Sequence, residues 1–255
     1  MSTTSVTKHI NKLHQKKFRK EFGEFLIEGI KGIAEAIQED ADIVSLVVDG
    51  KRRDEEDIAH VIRAATQKRI PVEYCGRKEV AEIKTTETFA GVLAIVAMPE
   101  TSLDDLDAER PIVCLNKIGD PGNLGTIIRT ADWFGVEQLL LSEGSVDPYN
   151  EKVVRSTMGS IFRTTVVESE DIVEDLHFLK EVHGYTVIGF DMASIPLTKM
   201  AVQKKKTVYV FGSESHGIEP AVEKLLDARY TIPGSGRAES LNLSVAAGIV
   251  FSKLT

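Results

Sequence analysis

From residue 112 onward the chain repeats one pattern: a short, mostly apolar run of strand length, then a stretch with helical spacing. Ile112–Leu115, Gln138–Leu141, Thr186–Phe190 and Val208–Phe211 are such runs. Strands without polar alternation are buried on both faces, and the helices between them supply the cover. The pattern predicts an α/β fold built on a mainly parallel sheet. Its expected helices are Asn123–Phe134, Asn150–Gly159, Glu170–Val182 and Leu241–Leu254, and its remaining strands Phe162–Val167 and Arg229–Ile232.

Residues 1–98 read as a separate, smaller α/β unit. A polar, basic helix over Val6–Lys20 leads into strand Glu24–Ile27, helix Ile30–Gln38 and strand Asp42–Val48, which ends at the turn dipeptide Asp49-Gly50. Helix Asp54–Lys68 follows, with Ile58, Val61, Ile62 and Ala65 at helical spacing, and then strand Pro71–Cys75, helix Arg77–Ile83 and strand Ala90–Ala97. The acidic, proline-bounded stretch Pro99–Pro111 has few large apolar residues, so residues 99–110 are expected to link this unit to a second one over 111–255. A chain of 255 residues accommodates two such domains.

No apolar stretch approaches the ~20 residues of a membrane helix, and Met1–Ile10 lacks the core of a secretory signal. Cys75 and Cys114 stand apart in apolar runs, so buried thiols and a reducing cytoplasm are expected. The formal net charge of −8 argues against generic polyanion binding, but it hides an asymmetry. Lys8, Lys12, Lys16, Lys17, Arg19 and Lys20 precede the first acid, Glu21. Removing those six from the 31 basic residues leaves 25 against 39 acidic ones. A basic arm on an anionic body suits a nucleic-acid partner, and a solvated helix face would look the same.

Three Gly/Asn-rich segments trail the strand runs: Asn116–Arg129, Phe211–Pro220 and Thr231–Ser244. Loops of this kind at the carboxyl ends of parallel strands line one ligand crevice, and glycine lets backbone approach the ligand. None is a G-x-G-x-x-G or a P-loop, and His216 has no second ligand at metal-binding spacing, so neither a dinucleotide nor a metal is expected. Arg129 lies off the Ile127, Ile128, Ala131 and Phe134 core stripe, where it could hold a phosphate or pair with Asp132. Glu214 sits among Ser213, Ser215 and glycines, and Ser240 and Asn242 precede the last helix, where a capping role would also explain them.

The segments N-L-G-T-I-I-R-T-A-D-W-F-G (Asn123–Gly135), G-S-E-S-H-G-I (Gly212–Ile218) and I-P-G-S-G-R-A-E-S-L-N-L-S-V-A (Ile232–Ala246) resemble the three ordered motifs of SpoU/TrmH-type RNA 2′-O-ribose methyltransferases of the SPOUT superfamily. Asn150–Arg163 is similar to the family's intervening segment, and Glu24–Ile37 with Phe89–Val96 resembles the L30e-like substrate-binding domain of many members. The resemblance implies a deep C-terminal trefoil knot, a homodimer, and S-adenosylmethionine bound in the knot at Gly212, Ile232 and Leu241. It implies that Asn123, Arg129, Glu214, Ser240 and Asn242 carry the chemistry, without a metal. With an L30e-like domain, ribosomal RNA is the expected substrate and Lys8, Lys12, Lys16, Lys17 and Arg19 its added phosphate contacts. A tRNA substrate, or a non-catalytic role in RNA binding or ribosome assembly, is the alternative. Ser215 stands where the family usually has glycine, which predicts local strain if that position needs a positive φ. Gly234 stands where a bulkier residue is usual.

Overall fold

The computed structural model describes residues 3–83, 90–201 and 206–254. Phe89, which opens one of the segments quoted above, lies outside them. In chain order the elements are α1 (Thr3–Leu13), α2 (Lys16–Phe22), β1 (Glu24–Glu28), α3 (Ile30–Gln38), β2 (Ile43–Asp49), α4 (Glu56–Gln67), β3 (Val72–Cys75), α5 (Arg77–Ile83) and β4 (Val92–Ala97). Then come β5 (Ile112–Leu115), α6 (Pro121–Trp133), β6 (Gln138–Leu141), α7 (Glu151–Thr157), β7 (Thr165–Glu168), α8 (Ile172–Glu181) and β8 (Thr186–Pro196). β9 (Thr207–Phe211), α9 (Pro220–Glu223), β10 (Ala228–Thr231) and α10 (Leu243–Leu254) complete the chain.

These elements form two compact units that are not two continuous stretches. One comprises the chain up to Glu100 together with Tyr149–Phe162, and the other Thr101–Pro148 and the chain from Arg163 onward. The first is a four-stranded sheet ordered β1-β4-β2-β3, with β4 antiparallel to both neighbours and β2 parallel to β3. Amphipathic α1 buries Val6, Ile10 and Leu13 against Leu26, Val47 and Leu93. The expected basic helix is broken at His14 and Gln15 into α1 and α2, and Gly23 ends α2 in a left-handed turn (φ 65°). Within this unit α7 lies on β1, Phe25 meets Tyr149 with ring centroids 4.9 Å apart, and His14 Nδ1 pairs with Glu151 at 2.5 Å.

The second unit is a six-stranded sheet ordered β10-β8-β9-β5-β6-β7, and every pairing in it is parallel. Ile112, Cys114, Leu140, Val187, Val208 and Val210 form its core with Ile172, Leu176 and Leu179 of α8. The acidic stretch before β5 is bonded to this unit. Thr101 Oγ1 donates to the Val166 carbonyl, and the Tyr185 hydroxyl donates to the carbonyls of Asp107 and Arg110 at 3.2 and 2.9 Å.

The strand order places the site. From β5 the chain steps to β6 and β7 on one side, then crosses to β8, β9 and β10 on the other. The reversal falls between the adjacent strands β5 and β9. In an open parallel sheet the crevice for a ligand lies outside the carboxyl ends of the strands at such a point. Leu115 and Phe211, the last residues of β5 and β9, are register partners, so the first two glycine-rich segments leave the sheet side by side.

Candidate active site

Local chemistry starts the helix of the first segment. Asp120 is the N-cap of α6, its Oδ1 accepting the Asn123 N–H at 2.7 Å, and Pro121 supplies a φ suited to the first turn. This sets the Asn123 side chain above the end of β5. Its Nδ2 donates to Glu214 Oε1, and its Oδ1 accepts from Asn242 Nδ2 at 2.9 Å. A carboxylate only accepts, so Glu214 fixes which end of each amide faces which neighbour. Asn242 Oδ1 is then left for α10, where it accepts the Ser244 N–H at 2.9 Å and the Ser244 hydroxyl at 2.6 Å. Asn242 therefore caps a helix and also joins the third segment to the first two.

The second segment closes on itself. Ser213 and Gly217 exchange backbone hydrogen bonds of 3.0 and 2.9 Å, and Gly217 takes the left-handed turn at φ 67°. Gly212 has no alternative, since a Cβ there would stand 2.0 Å from the Gly217 carbonyl carbon and 2.2 Å from the Ile218 nitrogen. Ser215 is not among the residues with positive φ, so the strain expected of serine does not arise. Gly217 supplies the turn two residues later.

The structure does not join every expected residue to this cluster. Arg129 is exposed on α6, about 9 Å along the axis from Asn123 and roughly 120° around it. Asp132, its expected alternative partner, instead holds Arg163 Nε at 3.0 Å. Arg129 shares an exposed stripe of α6 with Thr126 and with Trp133, which is 84% exposed. Val245 and Ile249 are exposed on the adjacent α10, which meets α6 where Gly248 packs by Thr130. Ser240 and Leu241 are exposed in the loop before α10, and Ile232 is half-buried. That loop meets the rest of the cluster through Asn242.

Of the basic arm, Lys8 and Lys12 are exposed on α1, and Lys16 and Lys17 on α2. Lys12 Nζ lies 5.4 Å from the ring centres of both Phe18 and Phe22. Arg19 departs from the expectation. It is 2% exposed and its Nη1 donates to the Leu13 carbonyl at 2.8 Å, so its charge is spent on the end of α1. An arginine so placed is a helix-capping residue, not a phosphate contact.

Asn116, Lys117 and Glu219 form a polar cluster below the second segment that the sequence reading passed over. Glu219 is held below the ordinary carboxylate range, first by the Lys117 ammonium and then by the Asn116 amide, and the same pair raises Lys117. Its only sequence signals are a polar Asn ending an apolar run and Glu-Pro opening a short helix. Neither thiol is placed for nucleophilic work, since both are buried. Burial pushes Cys75 up to about 11 and Cys114 well above the ordinary thiol range. Among the described residues no group of three or more His, Cys, Asp or Glu could hold a metal ion, and no helix is long and apolar enough to cross a membrane.

The model of the SpoU rRNA methylase family matches residues 110–252, and that of the MRM3-like substrate-binding domain matches residues 5–94. The chain is similar to the 23S rRNA (guanosine(2553)-2′-O)-methyltransferase RlmP of Bacillus subtilis, 30% identical over 94% of this chain and 91% of the relative. It is 28% identical to a 23S rRNA (uridine(2479)-2′-O)-methyltransferase of Streptomyces viridochromogenes, over 90% of this chain and 81% of the relative. An AdoMet-bound rRNA methyltransferase from Sinorhizobium meliloti superposes with a TM-score of 0.86 at 29% identity, covering 100% of this chain and 95% of that one.

Proposed function

The chain belongs to the SpoU rRNA methylase family, and on that premise we propose how its residues divide the work of the reaction. The protein is an S-adenosylmethionine-dependent RNA 2′-O-ribose methyltransferase. The observation that carries the assignment of roles is the Glu214–Asn123–Asn242 relay, which ties all three motifs together outside the carboxyl ends of β5 and β9.

The residues present suit the methyl donor. The tight hairpin at Gly212–Gly217 exposes loop backbone, and Ile232 and Leu241 offer apolar side chains beside an open, polar loop. When bound, S-adenosylmethionine supplies an already electrophilic methyl carbon, so the protein's task is to position and activate the ribose oxygen. A guanidinium stays charged and is a poor base. Arg129 grips the phosphate next to the target ribose and stabilises the oxyanion as the hydroxyl proton leaves to water. Asn123 and Glu214 orient the ribose, and Ser240 and Asn242 shape the pocket around it.

Two copies complete the site. Trp133, Val245 and Ile249 are exposed on the adjacent helices α6 and α10, and a homodimer through these two helices covers them. Because Arg129 shares that stripe and stands away from Asn123, it serves the partner's ribose. In this reading residues 111–255 carry the methyltransferase, with the last segment threaded as a trefoil knot. Residues 1–98 present ribosomal RNA, assisted by Lys8, Lys12, Lys16 and Lys17, and the two buried free thiols suit a cytoplasmic protein.

Calorimetry and single-turnover methyl transfer test the division of labour. Arg129→Ala is expected to bind S-adenosylmethionine with the parent's affinity and to lose methyl transfer by at least ~100-fold, the scale of losing an oxyanion-stabilising group. Arg129→Lys recovers little of it, because an ammonium lacks the planar two-point grip. Parent-like turnover in the alanine variant removes Arg129 from the mechanism.

A further inference from the structure

Asn116 is fully buried at the carboxyl end of β5 and touches both ends of the loop that follows β9. Its backbone N–H donates to the Phe211 carbonyl at 2.8 Å, where the loop begins. Its Oδ1 accepts the backbone N–H of Glu219 at 2.9 Å, where the loop ends. Its Nδ2 donates to Glu219 Oε2 at 3.1 Å and lies 3.4 Å from Ser142 Oγ, just past β6. The other Glu219 oxygen accepts from Lys117 Nζ at 2.5 Å. Glu219 occupies the N-cap position of α9, yet its carboxylate makes no cap bond to that helix. The carboxylate is turned to Asn116 and Lys117 instead.

Residues 212–218 are thus closed at the base by Asn116, through its backbone N–H at one end and its side-chain amide at the other, while Glu214 at the tip is held by Asn123. A change in the width of the base shifts the hairpin backbone. We propose that Asn116 and Glu219 are positioning residues that clamp this loop at the width S-adenosylmethionine requires, with Lys117 steadying the Glu219 carboxylate. The inference rests on reading 212–218 as the cofactor loop. The clamp acts on cofactor affinity and not on the chemical step, since neither residue belongs to the Arg129, Asn123 and Glu214 set.

The pairing has a direction that can be swapped. Asn116→Ala leaves the Glu219 N–H and carboxylate without their partner. The dissociation constant for S-adenosylmethionine should rise about tenfold, equivalent to ~1.4 kcal/mol, with kcat at saturating cofactor changed by less than ~3-fold. Asn116→Asp sets two carboxylates face to face. It should bind poorly at pH 8 and recover toward the parent as pH falls to ~5, where one shared proton replaces the lost donor. In Asn116→Asp/Glu219→Gln the donor and acceptor are exchanged, so affinity should return at every pH.

Calorimetry across pH on these four proteins is paired with hydrogen exchange at the amides of 213–217 without cofactor. Faster exchange in Asn116→Ala, a pH-dependent loss in Asn116→Asp and its rescue in the double variant support the clamp. Parent-like exchange in Asn116→Ala, or a double variant no better than Asn116→Asp, overturns it. A parent that binds no S-adenosylmethionine while exchange still quickens in Asn116→Ala overturns the reading of the site and leaves the clamp standing as a hold on the loop alone.

Discussion

The loop after β9 and the loop before α10 share a composition of glycine, serine and glutamate, and the fold treats them in opposite ways. Residues 212–218 form a closed hairpin whose first glycine has backbone within 2.0 Å of where a Cβ would sit. Residues 233–241 are all exposed, and a Cβ at Gly234 or Gly236 would meet nothing within 4 Å. Glycine therefore means two things here. In the first loop it is demanded by the protein's own backbone, and in the second it stands in open space where no atom of the chain requires it. The exposed stripe of α6 and α10 belongs with the second loop, because its apolar side chains likewise stand open to solvent.

The sharpest way to break this contrast is to add one methyl group to each loop. Gly212→Ala should cost about 3 kcal/mol or more of stability, because the backbone opposite cannot yield as a side-chain end can. Binding of S-adenosylmethionine should vanish with it. A folded variant that binds cofactor normally in a thermal-shift and calorimetry pair would place the hairpin elsewhere in solution. Next in size is the stripe. Trp133→Glu puts a charge on the proposed contact and should weaken dimerisation by at least tenfold in sedimentation, with cofactor affinity falling less than methyl transfer. A monomeric parent, or a variant as dimeric as the parent, removes α6 from the contact.

A smaller effect is expected at the arm. Lys12→Gln, Lys16→Gln and Lys17→Gln together should make the slope of log K for RNA against log salt shallower by about two units, if each contacts one phosphate. The modified nucleotide should stay the same, because phosphate contacts position without specifying. Arg19 is excluded from that set by its bond to Leu13. The smallest expected change is Gly236→Ala, within about 0.5 kcal/mol of the parent in denaturant unfolding, as for an exposed position without packing partners.

Much of the frame was legible in the chain. Apolar runs without alternation gave the central strands β5, β6 and β9 within a residue of their ends, because a strand buried on both faces leaves that mark. The three motifs were visible as residues, and the structure adds that they meet through one amide–carboxylate and one amide–amide hydrogen bond. What periodicity could not supply was the identity of the neighbour. The apolar face of Tyr149–Phe162 predicts burial but not against β1, and so the two units interleave in sequence. β8 runs on to Pro196 because Ile195 and Pro196 find Tyr230 and Thr231, a pairing with no local signal. Arg19 looked like five other basic residues in a row, and only the helix break at His14 and Gln15 turns it inward. The Asn116–Glu219 pair spans 103 residues and was invisible for the same reason.

The central claim is that this chain methylates a ribose oxygen of ribosomal RNA with Arg129 holding the adjacent phosphate. The most direct measurement incubates the purified protein, or Arg129→Ala, with methyl-labelled S-adenosylmethionine and ribosomal RNA from cells lacking the protein, then maps alkaline cleavage. A 2′-O-methyl group removes the hydroxyl that alkaline cleavage needs. The account predicts label at one nucleotide, cleavage blocked on its 3′ side, and both lost with Arg129→Ala. Label recovered on a base, or block and label undiminished in the alanine variant, would contradict it.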